Sequence, residues 1–174
     1  VLKRYYYAAK KHKANIIVRI TADCPLSDPN LIDKFIFILK QKKLDYLSNT
    51  LNPTYPDGLD VEVFSRAALE RTAQEANDSF LRSHVTPYMH GRLKDQLPWG
   101  NFSVASISGS INFSHLRWTV DEPEDLALIE RLLGQLPDDF TWQDVIALQT
   151  AQPELLRINR NHVVYEGSNR DLKK

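Results

Sequence analysis

The sequence predicts an α/β protein, in which helices pack on a mixed, mostly parallel β-sheet. Short runs rich in β-branched residues recur along the chain, and helical periods with their own start signals separate them. This alternation of strands and helices is typical of βαβ units. No repeat or linker interrupts the pattern, so we expect a single domain over residues 1–174, with a flexible tail at 162–174.

The predicted strands are runs in which β-branched or alternating apolar residues predominate. Ile16–Ile20 is apolar except for Arg19, as in a buried strand. Further along, Leu59, Val61 and Val63 alternate with other residues and would share one face. In chain order, the predicted strands are 16–20, 45–49, 59–64, 102–107 and 115–120.

The predicted helices have recognisable starts. Asp28 and Ser65 are suitable N-caps, and Pro29 and Pro123 stand at first helical positions. Thr141 begins a sequence that resembles a capping box. In chain order, the predicted helices are 2–12, 29–41, 65–76, 79–90, 123–136 and 141–150, with a further turn or two after Pro153. The helix at 79–90 is expected to be interrupted or to end near Pro87. The period of the helix at 123–136 places on its buried face Leu126, Ile129, Leu133 and Leu136.

Composition and charge are those of an ordinary globular protein. Lys and Arg together number 22, as do Asp and Glu, so the overall charge does not indicate a nucleic-acid or membrane partner. Cys24 is the single cysteine, which excludes an internal disulfide and favours a reducing compartment. No apolar run is long enough to cross a bilayer, and no signal peptide is visible. We therefore expect a cytoplasmic protein.

Two aspartates stand where a predicted strand ends and a helix begins. Asp23 follows the strand at 16–20, and Asp121 follows the strand at 115–120. The carboxyl ends of parallel strands share one rim of a sheet, so both carboxylates could hold one Mg²⁺ together with phosphate oxygens. An aspartate before a Pro at such a junction is also a good helix cap. The pattern alone leaves both roles open.

Two further polar groups are candidates for binding. The first comprises Asp57, Gly58, Asp60 and Glu62. In this group, a turn at Asp57 and Gly58 is followed by the carboxylates of residues 60 and 62, on one face of a predicted strand. These carboxylates could bind the hydroxyl groups of a sugar, or they could simply face solvent. The second group is Arg82 and His84, which would converge only at a helix end or in a loop. The histidines do not have the spacing of metal ligands.

In combination, these motifs resemble the cytidylyltransferase family named for spore coat polysaccharide biosynthesis protein F (SpsF). That family is similar to the CMP-3-deoxy-octulosonate (CMP-KDO) and CMP-sialate (acylneuraminate) synthetases. The residues that carry the resemblance are, in order, 2–6 (LKRYY), 18–26 (VRITADCPL) with 28–29 (DP), 48–50 (SNT), 56–64 (PDGLDVEVF), 84–88 (HVTPY) and 116–126 (LRWTVDEPEDL).

The resemblance implies a three-layer nucleotide-diphospho-sugar transferase fold that is GT-A-like and Rossmann-like. It implies transfer of CMP from CTP to an acidic sugar for a surface polysaccharide, with Mg²⁺ bound by the catalytic residues Asp23 and Asp121. The nucleotide would be bound by Arg19, Thr21, Ala22 and Asp23, and the sugar by Asp57, Gly58, Asp60, Glu62, Arg82 and His84. Ala22 and Ser83 depart from the family, which more often has Gly and Glu there.

The family opens with a strand and a basic, glycine-containing loop for the triphosphate, and residues 1–174 contain no such block. We therefore expect the C-terminal part of a cytidylyltransferase domain, truncated at its N-terminus, that turns over CTP weakly or not at all by itself. An exposed sheet edge would favour a homodimer. Two other functions stay open, namely a metal-dependent glycosyltransferase with a nucleotide-sugar donor and a non-catalytic interaction module.

Overall fold

The computed structural model describes residues 1–164 of the chain. These residues form two compact units. Unit 1 comprises 1–19, 31–52 and 61–107, and unit 2 comprises 20–30, 53–60 and the residues from 108 onwards. The single domain expected over the whole chain stays a prediction. Of the expected flexible tail, residues 165–174 lie outside the described part.

Unit 1 contains a four-stranded sheet of order β1-β3-β2-β4. The strands are β1 (Ile16–Arg19), β2 (Tyr46–Ser48), β3 (Glu62–Ser65) and β4 (Val104–Ser106). The predicted α/β class is confirmed, but the prediction of a mostly parallel sheet is wrong, because β3 runs antiparallel to both β1 and β2. The connection from β2 to β3 contains no helix, so the chain returns in the opposite direction. Within the sheet formed by residues 1–164, the one parallel pair is β2 and β4.

The helices of unit 1 surround a core that includes both apolar helix faces and strand residues. They are α1 (Leu2–Lys11), α2 (Pro29–Lys42, in unit 1 from Leu31), α3 (Arg66–Glu75), α4 (Ser79–His84) and α5 (Pro87–His90). Ser65 caps α3 as predicted, since its hydroxyl accepts a hydrogen bond from the Ala68 amide at 3.0 Å. The helix predicted at 79–90 is interrupted at Val85, which has a φ of 73°. The core includes Leu2, Ile17, Tyr46, Phe64, Leu69, Leu81 and Met89.

Unit 2 contains α6 (Pro123–Leu133), α7 (Trp142–Ala151) and a short 3₁₀ helix at Pro153–Arg157. The capping box predicted at Thr141 is confirmed. At the start of α7, the buried Asp28 accepts a hydrogen bond from the Trp142 amide at 3.0 Å. None of the helices in the described part of the chain is long and apolar enough to cross a membrane.

The segment 115–120 was predicted to be a strand of the sheet. It does not belong to the four-stranded sheet, so this prediction is wrong. It forms an isolated parallel bridge between Arg117 and Asp57. The Asp57 amide donates to the Leu116 carbonyl at 3.0 Å, and the Trp118 amide donates to the Asp57 carbonyl at 2.6 Å. The backbone groups of this segment therefore find their partners in a loop of unit 2.

The buried face of α6 differs from the one its sequence period predicts. Leu126 and Leu133 are exposed by 48% and 42%, whereas Asp125 is fully buried. The apolar residues that α6 buries are Leu128, Ile129 and Leu132. A different face of α6 is therefore buried from the one predicted, because Asp125 forms an ion pair inside unit 2.

This ion pair joins Asp125 to Arg117 through two hydrogen bonds, of 2.9 Å from Nε and 2.7 Å from Nη2. The Asn159 amide group donates to the same carboxylate at 2.9 Å, as do the backbone amides of Asp121 and Glu122, both at 3.1 Å. Burial opposes ionisation of Asp125, but the bonds from Arg117, Asn159 and the two amides lower its pKa to about 2. Asp125 is therefore ionised at neutral pH.

Replacing Asp125 by alanine should lower the free energy of unfolding by about 3–5 kcal/mol, because the buried Arg117 guanidinium would lose its main partner. Urea denaturation followed by circular dichroism measures this loss. Glu130→Ala is the control, since Glu130 is exposed on the same helix and its removal should cost less than about 0.5 kcal/mol. Equal losses in the two variants would contradict the role given to the ion pair.

Candidate active site

Asp23 and Asp121 are brought close together within unit 2. The Val120 amide donates to the Asp23 carbonyl at 2.8 Å, and the Thr119 hydroxyl donates to the same oxygen at 3.4 Å. Asp23 thus lies opposite the residue that immediately precedes Asp121. This proximity could not be read from the local sequence, since 96 residues separate Thr119 from Asp23. Whether the two aspartates are catalytic stays a prediction.

The side chain of Asp121 is oriented by Arg117 and remains accessible. Arg117 Nη2 donates to Asp121 Oδ2 at 3.0 Å, and the Asp121 side chain is 47% exposed. Among residues 1–164, Oδ1 of Asp121 has no hydrogen-bond partner. One oxygen is therefore held in place, while the carboxylate is still able to bind a ligand.

The surroundings of Asp23 include the single cysteine. Cys24 Sγ donates to Asp23 Oδ1 at 3.6 Å, and it lies 3.2 Å from the Thr21 hydroxyl. Burial raises the pKa of the Cys24 thiol to about 12, and the negative charges of Asp23 and Asp60 act in the same direction. The thiol is therefore protonated at neutral pH and is a poor nucleophile. Thr21 and Ala22, both predicted to contact a nucleotide, are exposed.

The loop that carries Asp57 and Gly58 lies directly against the segment 115–120. Gly58 has a φ of +105°, and a β-carbon there would be 2.6 Å from the Thr119 nitrogen and the Trp118 carbonyl carbon. Only glycine permits this approach. Asp57 is buried, and its carboxylate lies 3.9 Å from Arg117 Nη1. Asp60, at the end of the loop, is half-buried.

Arg19 and Glu62 are cross-strand neighbours on β1 and β3 in unit 1. Arg19 Nη1 donates to Glu62 Oε2, and the Tyr46 hydroxyl donates to Oε1 at 2.6 Å. Glu62 is only 5% exposed, so the alternative that it faces solvent is wrong. Its contacts hold β1, β3 and β2 together, and sugar binding by Glu62 stays a prediction.

Arg82 and His84 also lie in unit 1, on α4. Arg82 Nη1 donates to the Ala76 carbonyl at 2.6 Å, where α3 ends. The ring of His84 lies 4.2 Å from that of Phe80 on the same helix. These contacts stabilise the local fold, and a role of either residue toward a sugar stays a prediction.

Sequence reasoning did not select Arg117 or Asn159 as site residues. Arg117 is the one charged residue between Leu116 and Val120, and a lone charge in a buried run often has a buried partner. That signal was present in the sequence. Asn159 gave no comparable signal, because its partners Asp125 and the Arg117 carbonyl are 34 and 42 residues away.

Residues 1–164 contain no group of three or more His, Cys, Asp or Glu side chains that could hold a metal ion. Mg²⁺ commonly binds one or two protein carboxylates and takes its other ligands from water and phosphate oxygens. Asp23 and Asp121 have the hard oxygen donors and, for Asp121, the exposure that this mode of binding needs. The two side chains therefore offer the type of donor that Mg²⁺ prefers beside a phosphate-bearing ligand, and their binding of one shared ion stays a prediction.

Comparison with known proteins identifies similar chains along almost the whole sequence. A family model described as cytidylyltransferase matches residues 1–168. The uncharacterized protein MJ1063 of Methanocaldococcus jannaschii is 43% identical over 90 residues, which are 52% of this chain and 36% of that protein. A solved structure of a cytidylyltransferase from Leptospira borgpetersenii serovar Hardjo-bovis has a TM-score of 0.81 and 27% identity, covering 95% of this chain and 67% of that one.

Replacing Gly58 by alanine should destabilise the protein by about 1–3 kcal/mol, because the β-carbon would contact the backbone at residues 118 and 119 in a strained conformation. Urea denaturation provides the measurement. Gly134→Ala is the control, since Gly134 ends α6 with a φ of −67°, which alanine adopts readily. A Gly58→Ala variant as stable as the wild type would show that the loop does not need this close approach.

Stability should fall between pH 6.5 and 4 because of His90, whose ring lies 5.6 Å from that of Tyr46. Burial lowers the pKa of His90 from 6.5 to about 4, with Glu62 opposing the shift and Arg92 supporting it. The folded state disfavours the charged form, so this contribution is complete above pH 6.5 and is lost as the pH falls toward 4.

His90→Gln should make the free energy of unfolding less dependent on pH in this range, as measured by urea denaturation at several pH values. His115→Gln replaces an exposed histidine and serves as the control. The prediction is wrong if the slope between pH 6.5 and 4 is the same in both variants.

Proposed function

The chain belongs to the cytidylyltransferase family, and from this membership we propose that it transfers CMP from CTP to an acidic sugar, with Mg²⁺ as cofactor. Pyrophosphate would be the second product, and the CMP-sugar would serve synthesis of a surface polysaccharide, as in the SpsF-like group. The observation that carries the proposal is the backbone contact that brings Asp23 next to Asp121 in a chain of this family. The cytoplasmic location and the homodimer stay predictions.

Asp23 and Asp121 would hold the Mg²⁺ ion. When bound, the ion supplies charge neutralisation at the phosphate oxygens of CTP. The chain supports this assignment in two ways. Asp121 keeps a half-exposed carboxylate with one oxygen oriented by Arg117. The Asp23 carbonyl accepts a hydrogen bond from the Val120 amide, so the backbone of Asp23 lies beside the residue that precedes Asp121.

We assign nucleotide contacts to Arg19, Thr21 and Ala22, which precede Asp23 in the sequence. Thr21 and Ala22 are exposed, so a ligand can reach both residues. Sugar contacts are assigned to the residues that the resemblance gives, namely Asp57, Gly58, Asp60, Glu62, Arg82 and His84. Of these, Asp57 and Gly58 are fixed against the segment that leads to Asp121.

The reaction requires a sugar hydroxyl oxygen to attack the α-phosphorus of CTP in line with the departing pyrophosphate. One P–O bond forms to the sugar, the P–O bond to pyrophosphate breaks, and the hydroxyl proton passes to solvent. Catalysis of this kind consists mainly of positioning and of stabilising charge. It needs no protein nucleophile, which agrees with a Cys24 thiol that stays protonated.

The test is an assay of the protein as its gene encodes it, with CTP, Mg²⁺ and a panel of acidic sugars. The expected result is pyrophosphate release that depends on CTP and on one of the sugars. Release of a nucleotide from a nucleotide-sugar without pyrophosphate would instead indicate a glycosyltransferase. No turnover with any combination, from a folded protein, would overturn the proposed reaction.

Asp23→Asn and Asp121→Asn should each lower turnover by about two orders of magnitude or more, since each removes a carboxylate from the charge-stabilising site. Both variants should stay folded, as judged by circular dichroism. Asp138→Asn is the matched control, because Asp138 is an exposed aspartate between α6 and α7. Near-normal turnover in either site variant would remove that residue from the mechanism.

A further inference from the structure

We propose that Arg117 is the positioning residue of the site, which holds the Asp121 carboxylate and the loop at Asp57 in one arrangement. The inference rests on the proposed function, since it concerns the role of Asp121. Arg117 would act through the carboxylates around it.

All three nitrogen atoms of the Arg117 guanidinium have partners. Nε and Nη2 donate to Asp125 at 2.9 and 2.7 Å, and Nη2 also donates to Asp121 at 3.0 Å. Nη1 donates to the Val163 carbonyl at 2.9 Å and lies 3.9 Å from Asp57. One side chain therefore links the start of α6, the loop at 53–60 and the residues that follow the 3₁₀ helix.

The charges of this cluster favour binding of a cation at Asp121. One guanidinium faces three carboxylates, of which Asp57 and Asp125 are buried. Asp125 accepts two bonds from Arg117, of 2.9 and 2.7 Å, and compensates its charge. Asp121 is the exposed member, so the negative charge that Arg117 does not compensate is accessible there. A divalent cation bound at Asp121 would neutralise this remaining negative charge.

Lysine cannot reproduce this arrangement. The arginine fork presents donors in fixed directions in one plane, and here they reach two carboxylates and a carbonyl at the same time. A lysine ammonium keeps the positive charge but lacks that fork. Arg117→Lys should therefore preserve the charge of the cluster and lose the fixed position of Asp121.

The experiment measures binding of Mn²⁺, used as a probe for Mg²⁺, by electron paramagnetic resonance in the wild type, Arg117→Lys, Asp121→Asn and Arg131→Lys. Arg131 is exposed on α6 and is the control. Arg117→Lys should bind Mn²⁺ about 10- to 100-fold more weakly, in the range seen when residues that support metal ligands are replaced. Arg131→Lys should bind it as the wild type does.

A folded Arg117→Lys variant with wild-type affinity, beside an Asp121→Asn variant with reduced affinity, would overturn the inference alone. Unchanged affinity in Asp121→Asn would overturn the proposed function as well. If Arg117→Lys does not fold, nuclear magnetic resonance of the wild type decides. Addition of Mg²⁺ should shift the guanidinium N–H signals of Arg117 together with the Asp121 amide signal. A shift of the Asp121 signal without one at Arg117 would overturn the inference.

Discussion

The ion pair between Arg117 and Asp125 is the interaction on which the arrangement of unit 2 depends. Desolvating two charges is costly, and only close, well-directed bonds offset that cost. Asp125 receives such bonds from Arg117, from Asn159 and from the backbone amides of the two residues that precede α6. The carboxylate of Asp125 thus caps α6 and neutralises the charge of Arg117, so its burial fixes where α6 begins.

Unit 1 has a counterpart in the pair formed by Arg19 and Glu62. This pair joins two strands, and the hydroxyl of Tyr46 on a third strand donates a hydrogen bond to the same carboxylate. Arg19, a member of this pair, is 27% exposed, and Asp121, which accepts a further hydrogen bond from Arg117, is 47% exposed. In each unit, a buried charge therefore holds a partly exposed charged side chain in place, at some cost in stability.

Local sequence signals predicted the parts of the fold that local interactions determine. The caps at Ser65 and Thr141 were correct because a side chain and the adjacent backbone decide them. The direction of β3 was not predictable from its composition, because it depends on the connection from β2. The buried face of α6 was missed because Asp125 is drawn inward by a residue that lies outside the helix. In the site, Asp23 and Asp121 were selected, whereas the residues that hold them were not.

The close approach of Gly58 to the backbone at 118 and 119 also limits how this loop can diverge in evolution. A side chain at position 58 would push aside the segment that leads to Asp121. A change at the half-buried position 60 alters a side chain without requiring such a backbone shift. Homologues that acquire a new ligand preference through this loop would therefore be expected to vary at position 60 and to retain glycine at position 58.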